Sequence, residues 1–125
     1  MKHDAHEFEV DRVGKDSWRM TRAGADVTIL TNGAHAAILE NRPVTAEALL
    51  EQVHDVDLVL TEGYKHGLWK KIALYRAAVG KPFPCALEEC IAVVTDTPIA
   101  DCPVPCLGFE EIEALADRIE EEIGR

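Results

Sequence analysis

Residues 57–66 read DLVLTEGYKH, and this stretch limits the fold more tightly than any other. Leu58, Val59, Leu60 and Thr61 set bulky or β-branched side chains in a row without polar alternation. A short continuous apolar run of this kind predicts a strand covered on both faces, as in a parallel sheet. The run stops at Glu62-Gly63. Open α/β sheets bind ligands just beyond the carboxyl ends of their strands, so the pattern sets a carboxylate where a ligand would sit. Gly63 allows a sharp turn there, or the close approach of a ligand. Lys65 and His66 follow, so one turn carries an acid, a cation and an imidazole. The same residues also read as a core strand with a polar turn behind it, and the spacing alone leaves both readings open.

The length of 125 residues suits one domain with one core. A net charge of -10 argues against a nucleic-acid surface, which needs clustered Lys and Arg. No apolar run is long enough to span a bilayer, and the polar start Met1-Lys2-His3-Asp4 has no signal-peptide pattern, so a cytoplasmic location without membrane attachment is the expectation. The cysteines, Cys85, Cys90, Cys102 and Cys106, follow a CxxxxC…CxxxC spacing that departs from the common zinc patterns. Free structural thiols are expected in such a chain.

Along the chain, His3, Asp4 and His6 form an HDxH cluster, which reads either as divalent-cation ligands or as a solvated loop. Asp16 or Ser17 suits the cap of a short helix running through Met20 and Arg22, with Gly24 just past its end. Lys15, Arg19 and Arg22 give a basic cluster, either an anion contact or an exposed helix face. Residues 27–31 and 35–40 read as strands around the turn signal Asn32-Gly33, which suits a hairpin. Thr45 is a candidate N-cap for a helix with Leu49, Leu50 and Val53 as its apolar stripe. Residues 72–76 fit a strand or one side of a helix. Residues 90–95 read as a buried strand ending at Asp96, and residues 104–107 as an edge strand at most. Ile112, Leu115, Ala116, Ile119 and Ile123 fall on one face of a final helix. Strands alternating with helices predict an α/β fold, a mostly parallel sheet flanked by helices.

Four phrases, in order, resemble the MobB-type adaptors of molybdopterin-guanine dinucleotide biosynthesis. They are KHDAHEFEVDRVGKDSWRMTRAGA at residues 2–25, DLVLTEGYKH, KKIALYR at 70–76 and AVVTDTP at 92–98. The resemblance runs nearly the whole length. It implies a P-loop NTPase-like fold, GTP bound with Mg2+, a homodimer, and at most weak GTPase activity with no catalytic residue to name. It also implies a partnership with the MobA-type nucleotidyltransferase that attaches the guanylyl group to molybdopterin, and with molybdoenzymes. Carried over residue by residue, Asp4 and His6 lie in a switch-like loop near the phosphates. Lys15, Asp16 and Ser17 lie beside the nucleotide. Glu62 and Gly63 stand in the Walker-B-like position, where the carboxylate holds magnesium directly or through water, with Lys65 beside them. Thr95 and Asp96 end the strand that reads the base, Asp96 accepting from guanine. The resemblance also makes residues 71–76 a strand.

One feature of the family is missing from these residues. The family opens with a strand, a Gly-rich P-loop, a helix and a second strand, whereas no GxxxxGK[ST] occurs in the 125 residues. Met1-Lys2-His3 corresponds to the end of the family's second strand. The expectation is therefore a single MobB-like domain, P-loop NTPase-like, with the first βαβ unit of about 30 residues or more absent. A P-loop supplies the amide cradle and the phosphate lysine, which Lys65 on another strand end cannot replace. The functional expectation is an accessory adaptor of molybdenum-cofactor maturation. The alternatives are a true GTP-binding GTPase whose P-loop lies upstream of Met1, a degenerate module without nucleotide, and a metal-binding module built on His3, Asp4, His6 and the cysteines.

Overall fold

The computed structural model describes residues 1–4, 6 and 8–124; Ala5, Glu7 and Arg125 lie outside the described residues. Contacts gather the chain into two units, Asp4–Val59 and Met1–His3 with Leu60–Arg125.

The Asp4–Val59 unit is built on a hairpin. Helix α1, Asp16–Arg22, leads into β1, Val27–Thr31, which pairs antiparallel with β2, Ala36–Glu40, in the register Val27↔Glu40 to Thr31↔Ala36. The expected hairpin is present, and Asn32 is the residue that turns it. Its Oδ1 accepts from the amides of Ala34 and His35 at 2.8 Å each, and its own amide donates to the His35 carbonyl at 2.9 Å. A short side-chain acceptor that mimics a backbone turn is the reason Asn is favoured there. Thr45 caps α2, Ala46–Leu50, by accepting from the Ala48 amide at 3.2 Å, as its position suggests. The helix is too short to include Val53. The expected cap of α1 needs correction. Lys15, in extended conformation, is the N-cap and makes no side-chain cap bond; Asp16 lies in the first turn, and Ser17 is buried inside the helix. Asp16 still suits that turn, because the helix dipole favours an acid there.

The other unit is a parallel sheet. Strands β3, Lys71–Tyr75, β4, Cys90–Thr95, and β5, Cys106–Leu107, form a three-stranded sheet in the order β3-β4-β5, with both pairings parallel. Every residue of β4 is buried, which is why its run CIAVVT carries no polar alternation. Ala73, Cys90 and Val93 make the core cluster, with Phe83, Leu87 and Val104 packed against it. Residues 71–75 fit helix and strand equally by pattern; pairing to β4 makes them a strand, as the resemblance implies. Helix α3, Ile112–Ile123, contacts β4, and Arg118 Nε donates to the Ile91 carbonyl at 3.1 Å. Leu115 and Ile119 are half-buried, but Ile112 is exposed, so the apolar stripe is not covered along its whole length.

The expected buried strand over residues 57–61 is not formed. These residues belong to no strand, and Leu58, Val59 and Leu60 are 40%, 36% and 61% exposed. What remains of the expected pairing is a short parallel contact. The Met1 amino group donates to the Leu60 carbonyl at 2.6 Å, the Glu62 amide to the Met1 carbonyl at 2.8 Å, and the His3 amide to the Glu62 carbonyl at 2.9 Å. These bonds amount to a single parallel bridge, Lys2↔Glu62. A strand is covered on both faces only within a sheet that is itself covered, and three residues of pairing do not supply that.

Candidate functional site

Glu62 is itself the bridged residue of the parallel contact, at the end of the extended segment. Its Oε1 lies 3.5 Å from Lys2 Nζ, with the two side chains 73% and 61% exposed. The carboxylate therefore has one surface cation beside it and open solvent around it. Gly63 then turns the chain with φ of +84°, and a Cβ there would lie 2.9 Å from the His3 carbonyl oxygen. Only glycine meets both the left-handed backbone and this close approach without strain. Tyr64 packs between the rings of His3, at 5.1 Å, and Trp69, at 5.6 Å edge-on. Lys65 and His66 stand exposed on the same turn and line a cavity of about 410 Å³.

The structure brings together Glu62, Gly63 and Lys65 from the expected site, in one turn. Thr95 and Asp96 lie at the carboxyl end of β4, where an open parallel sheet presents its ligand side. Both are engaged within the fold. Thr95 Oγ1 donates to the Thr97 carbonyl at 2.9 Å and accepts from its amide at 3.1 Å, while Asp96 Oδ1 accepts from the Ala77 amide and the Thr97 hydroxyl at 3.2 Å each. Asp96 thus fastens the loop after β3 to the end of β4. Asp4, His6, Lys15, Asp16 and Ser17 fall in the other unit. There Asp4 Oδ1 accepts from the His6 amide at 3.1 Å, and both side chains are exposed.

Sequence reasoning passed over Arg76, whose guanidinium lies 4.4 Å from the Phe109 ring centroid beside the carboxyl ends of β3 and β5. A cation next to an aromatic over the ligand edge of a sheet is legible only once the strands are aligned. It also passed over Lys71. That half-buried ammonium pairs with Glu89 at 2.9 Å and donates to the carbonyls of Gly67 and Trp69 at 2.7 and 3.1 Å.

The donor set bears on the metal that the resemblance implies. Among the described residues no group of three or more His, Cys, Asp and Glu is placed to hold a metal ion. Magnesium commonly binds through one or two carboxylates, with water and nucleotide phosphates completing its shell. An exposed Glu62 fits a magnesium that arrives with a nucleotide, and does not fit a resident ion held by the protein alone.

A three-stranded parallel sheet with a helix on it, and a carboxylate-glycine turn at a parallel bridge, define a mixed α/β protein. The fold agrees with the crystal structure of Bacillus subtilis MobB, with a TM-score of 0.73 at 22% identity, over 96% of this chain and 76% of that one. The family model for molybdopterin guanine dinucleotide synthesis protein B, MobB, matches residues 1–96, and the chain belongs to that family. It is 39% identical over 124 residues to the molybdopterin-guanine dinucleotide biosynthesis adapter protein of Haemophilus influenzae, covering 96% of this chain and 69% of that protein. The adapter protein of the same description in Escherichia coli is 33% identical over 129 residues, covering 97% and 73%. No helix among the described residues is long and apolar enough to cross a membrane.

Proposed function

We propose that the chain serves molybdopterin-guanine dinucleotide biosynthesis as an adapter that engages the guanylyltransferase of that pathway, with magnesium and GTP as its nucleotide ligand. The adapter role rests on family membership and on the two bacterial relatives that carry that description. The nucleotide part rests on one observation, an exposed Glu62 carboxylate on the residue that closes a parallel backbone bridge and is followed by a left-handed Gly63. In this reading Glu62 would hold a magnesium ion directly or through water, and the ion would neutralise phosphate charge. Gly63 turns the chain immediately after the carboxylate, and Lys65 adds a cation on the same turn.

The phosphates need more than these residues supply. A GxxxxGK[ST] loop provides a set of aligned amides and a lysine, and no such motif occurs in these 125 residues. GTP binding by these residues is accordingly weaker than that of a complete P-loop protein. Calorimetric titration of magnesium-GTP into the chain tests this part. The expected result is saturable, magnesium-dependent heat that Glu62→Gln removes. Binding that persists unchanged in that variant, or no binding at millimolar nucleotide, overturns the nucleotide part and leaves an adapter without a nucleotide.

A further inference from the structure

The proposed function uses neither Cys85 nor Cys90, although the cavity beside Cys85 shares Lys65 with it. Their sulfurs lie 3.4 Å apart, joined as a thiol–thiol contact across the 3-10 turn Leu87–Glu89. Cys90 opens β4 and is buried, and its thiol also donates to the Ala86 carbonyl at 3.5 Å. Cys85 is half-buried and forms part of the wall of the 410 Å³ cavity, together with Lys65, His66, Trp69, Lys71 and Glu89. One residue of the pair thus lines a cavity and the other belongs to the buried core.

We propose that Cys85 and Cys90 form a dithiol modification site, which a small carboxylate-bearing disulfide such as oxidised glutathione converts to an intramolecular disulfide. A disulfide needs its sulfurs at about 2.05 Å, so the pair closes by roughly 1.4 Å from its present separation. The turn between them is short and largely exposed, which lets side-chain rotation supply that movement. Lys65 and His66 on the cavity wall suit the carboxylates of the incoming disulfide, while Lys71 is already held by Glu89 at 2.9 Å.

The order of events follows from burial. Burial first, and then the hydrogen bond to Cys85, push the Cys90 thiol up to about 12, so Cys90 is the poorer first nucleophile. The Cys85 thiolate attacks one sulfur of the oxidant. The S–S bond of the oxidant breaks, one glutathione leaves as thiolate and takes up the proton that Cys85 lost. Cys90 then attacks the Cys85 sulfur. The mixed disulfide breaks, and the second glutathione leaves with the proton from Cys90. Two protein thiols are oxidised, one disulfide is reduced to two thiols, and no net proton is exchanged.

Cys102 and Cys106 are the built-in competitor. Hydrogen bonding to Cys102, and then burial, hold the Cys106 thiol above its ordinary range, which places these two side chains together as well. The test equilibrates the full chain with mixtures of reduced and oxidised glutathione, blocks free thiols, and maps the bonds after cleavage at Glu88 and Glu89. The expected result is the loss of two of four titratable thiols, with the Cys85 and Cys90 peptides joined. Cys90→Ala is expected to stop at a stable glutathione adduct on Cys85, and Cys85→Ser to carry neither adduct nor bond at this site. The double variant Cys102→Ser with Cys106→Ser keeps the Cys85–Cys90 bond. Four surviving thiols under oxidising mixtures, or a bond mapped to Cys102 and Cys106 alone, overturns the proposal. The mapping on the unsubstituted chain decides the matter even where a variant does not fold.

Discussion

Lys2 and Glu62 are joined twice. Their backbones form a parallel bridge, and Lys2 Nζ lies 3.5 Å from Glu62 Oε1. The backbone link fixes where the carboxylate emerges, while the ion pair is a surface contact between two exposed side chains. Position and charge can therefore be separated by substitution.

Glu62→Gln removes the charge and leaves the backbone pairing intact. An exposed pair of this kind contributes about 0–1 kcal/mol, so the melting temperature is expected to stay nearly unchanged. Magnesium-dependent nucleotide binding is expected to disappear in the same variant. A melt by circular dichroism beside the titration separates the two effects, and a large fall in stability would show that Glu62 is a structural residue.

Gly63→Ala tests the turn. The new Cβ meets the His3 carbonyl at 2.9 Å and the backbone has φ of +84°, so strain arises from both causes. A loss of about 1–3 kcal/mol is expected. Amide exchange at His3 and Glu62, whose backbone bonds hold the segment to residues 1–3, is expected to accelerate before the sheet is affected. Unchanged exchange there would mean that the turn relaxes freely.

Val93→Ala tests the sheet core. Val93 is fully buried in the middle strand, and truncation leaves a cavity there. The expected cost is about 2 kcal/mol, read as a shift of the urea midpoint with little change in slope. Arg118→Ala is expected to cost about 1.5–3 kcal/mol, because it removes the charged hydrogen bond that ties α3 to the Ile91 carbonyl.

The Cys90 thiol makes stability depend on pH on the alkaline side. Its thiol is pushed from 9.0 up to about 12, chiefly by burial. Above pH 9 the unfolded chain releases this proton while the folded chain keeps it, so stability falls as pH rises. The contribution is whole below about pH 9 and is lost progressively towards about pH 12. Denaturant midpoints measured across that window are expected to fall, and Cys90→Ala is expected to flatten the slope.

Much of the fold is legible in the sequence where local chemistry decides the structure. Asn32 turns the hairpin and Thr45 caps its helix through short side-chain oxygens that act within three residues. The unalternating run of β4 reads correctly because that strand is central and covered. Residues 58–61 carry the same kind of run and do not form a strand, since apolar composition cannot say whether partners are present on both edges. Glu62 and Gly63 are legible as a turn, but the His3 carbonyl that makes glycine necessary comes from the far end of the sequence. The same holds for Asp96, whose bond to the Ala77 amide spans 19 residues. Cys85 and Cys90 show only a spacing of five in sequence; their contact depends on the short turn between them.

The most direct measurement of the central claim is an equilibrium titration of the purified chain against the guanylyltransferase from the same organism, with and without magnesium-GTP. Saturable association at micromolar concentration, strengthened by the nucleotide and weakened towards the nucleotide-free value by Glu62→Gln, is the result expected of an adapter built as described. Absence of association in both conditions, with each protein folded, would contradict it.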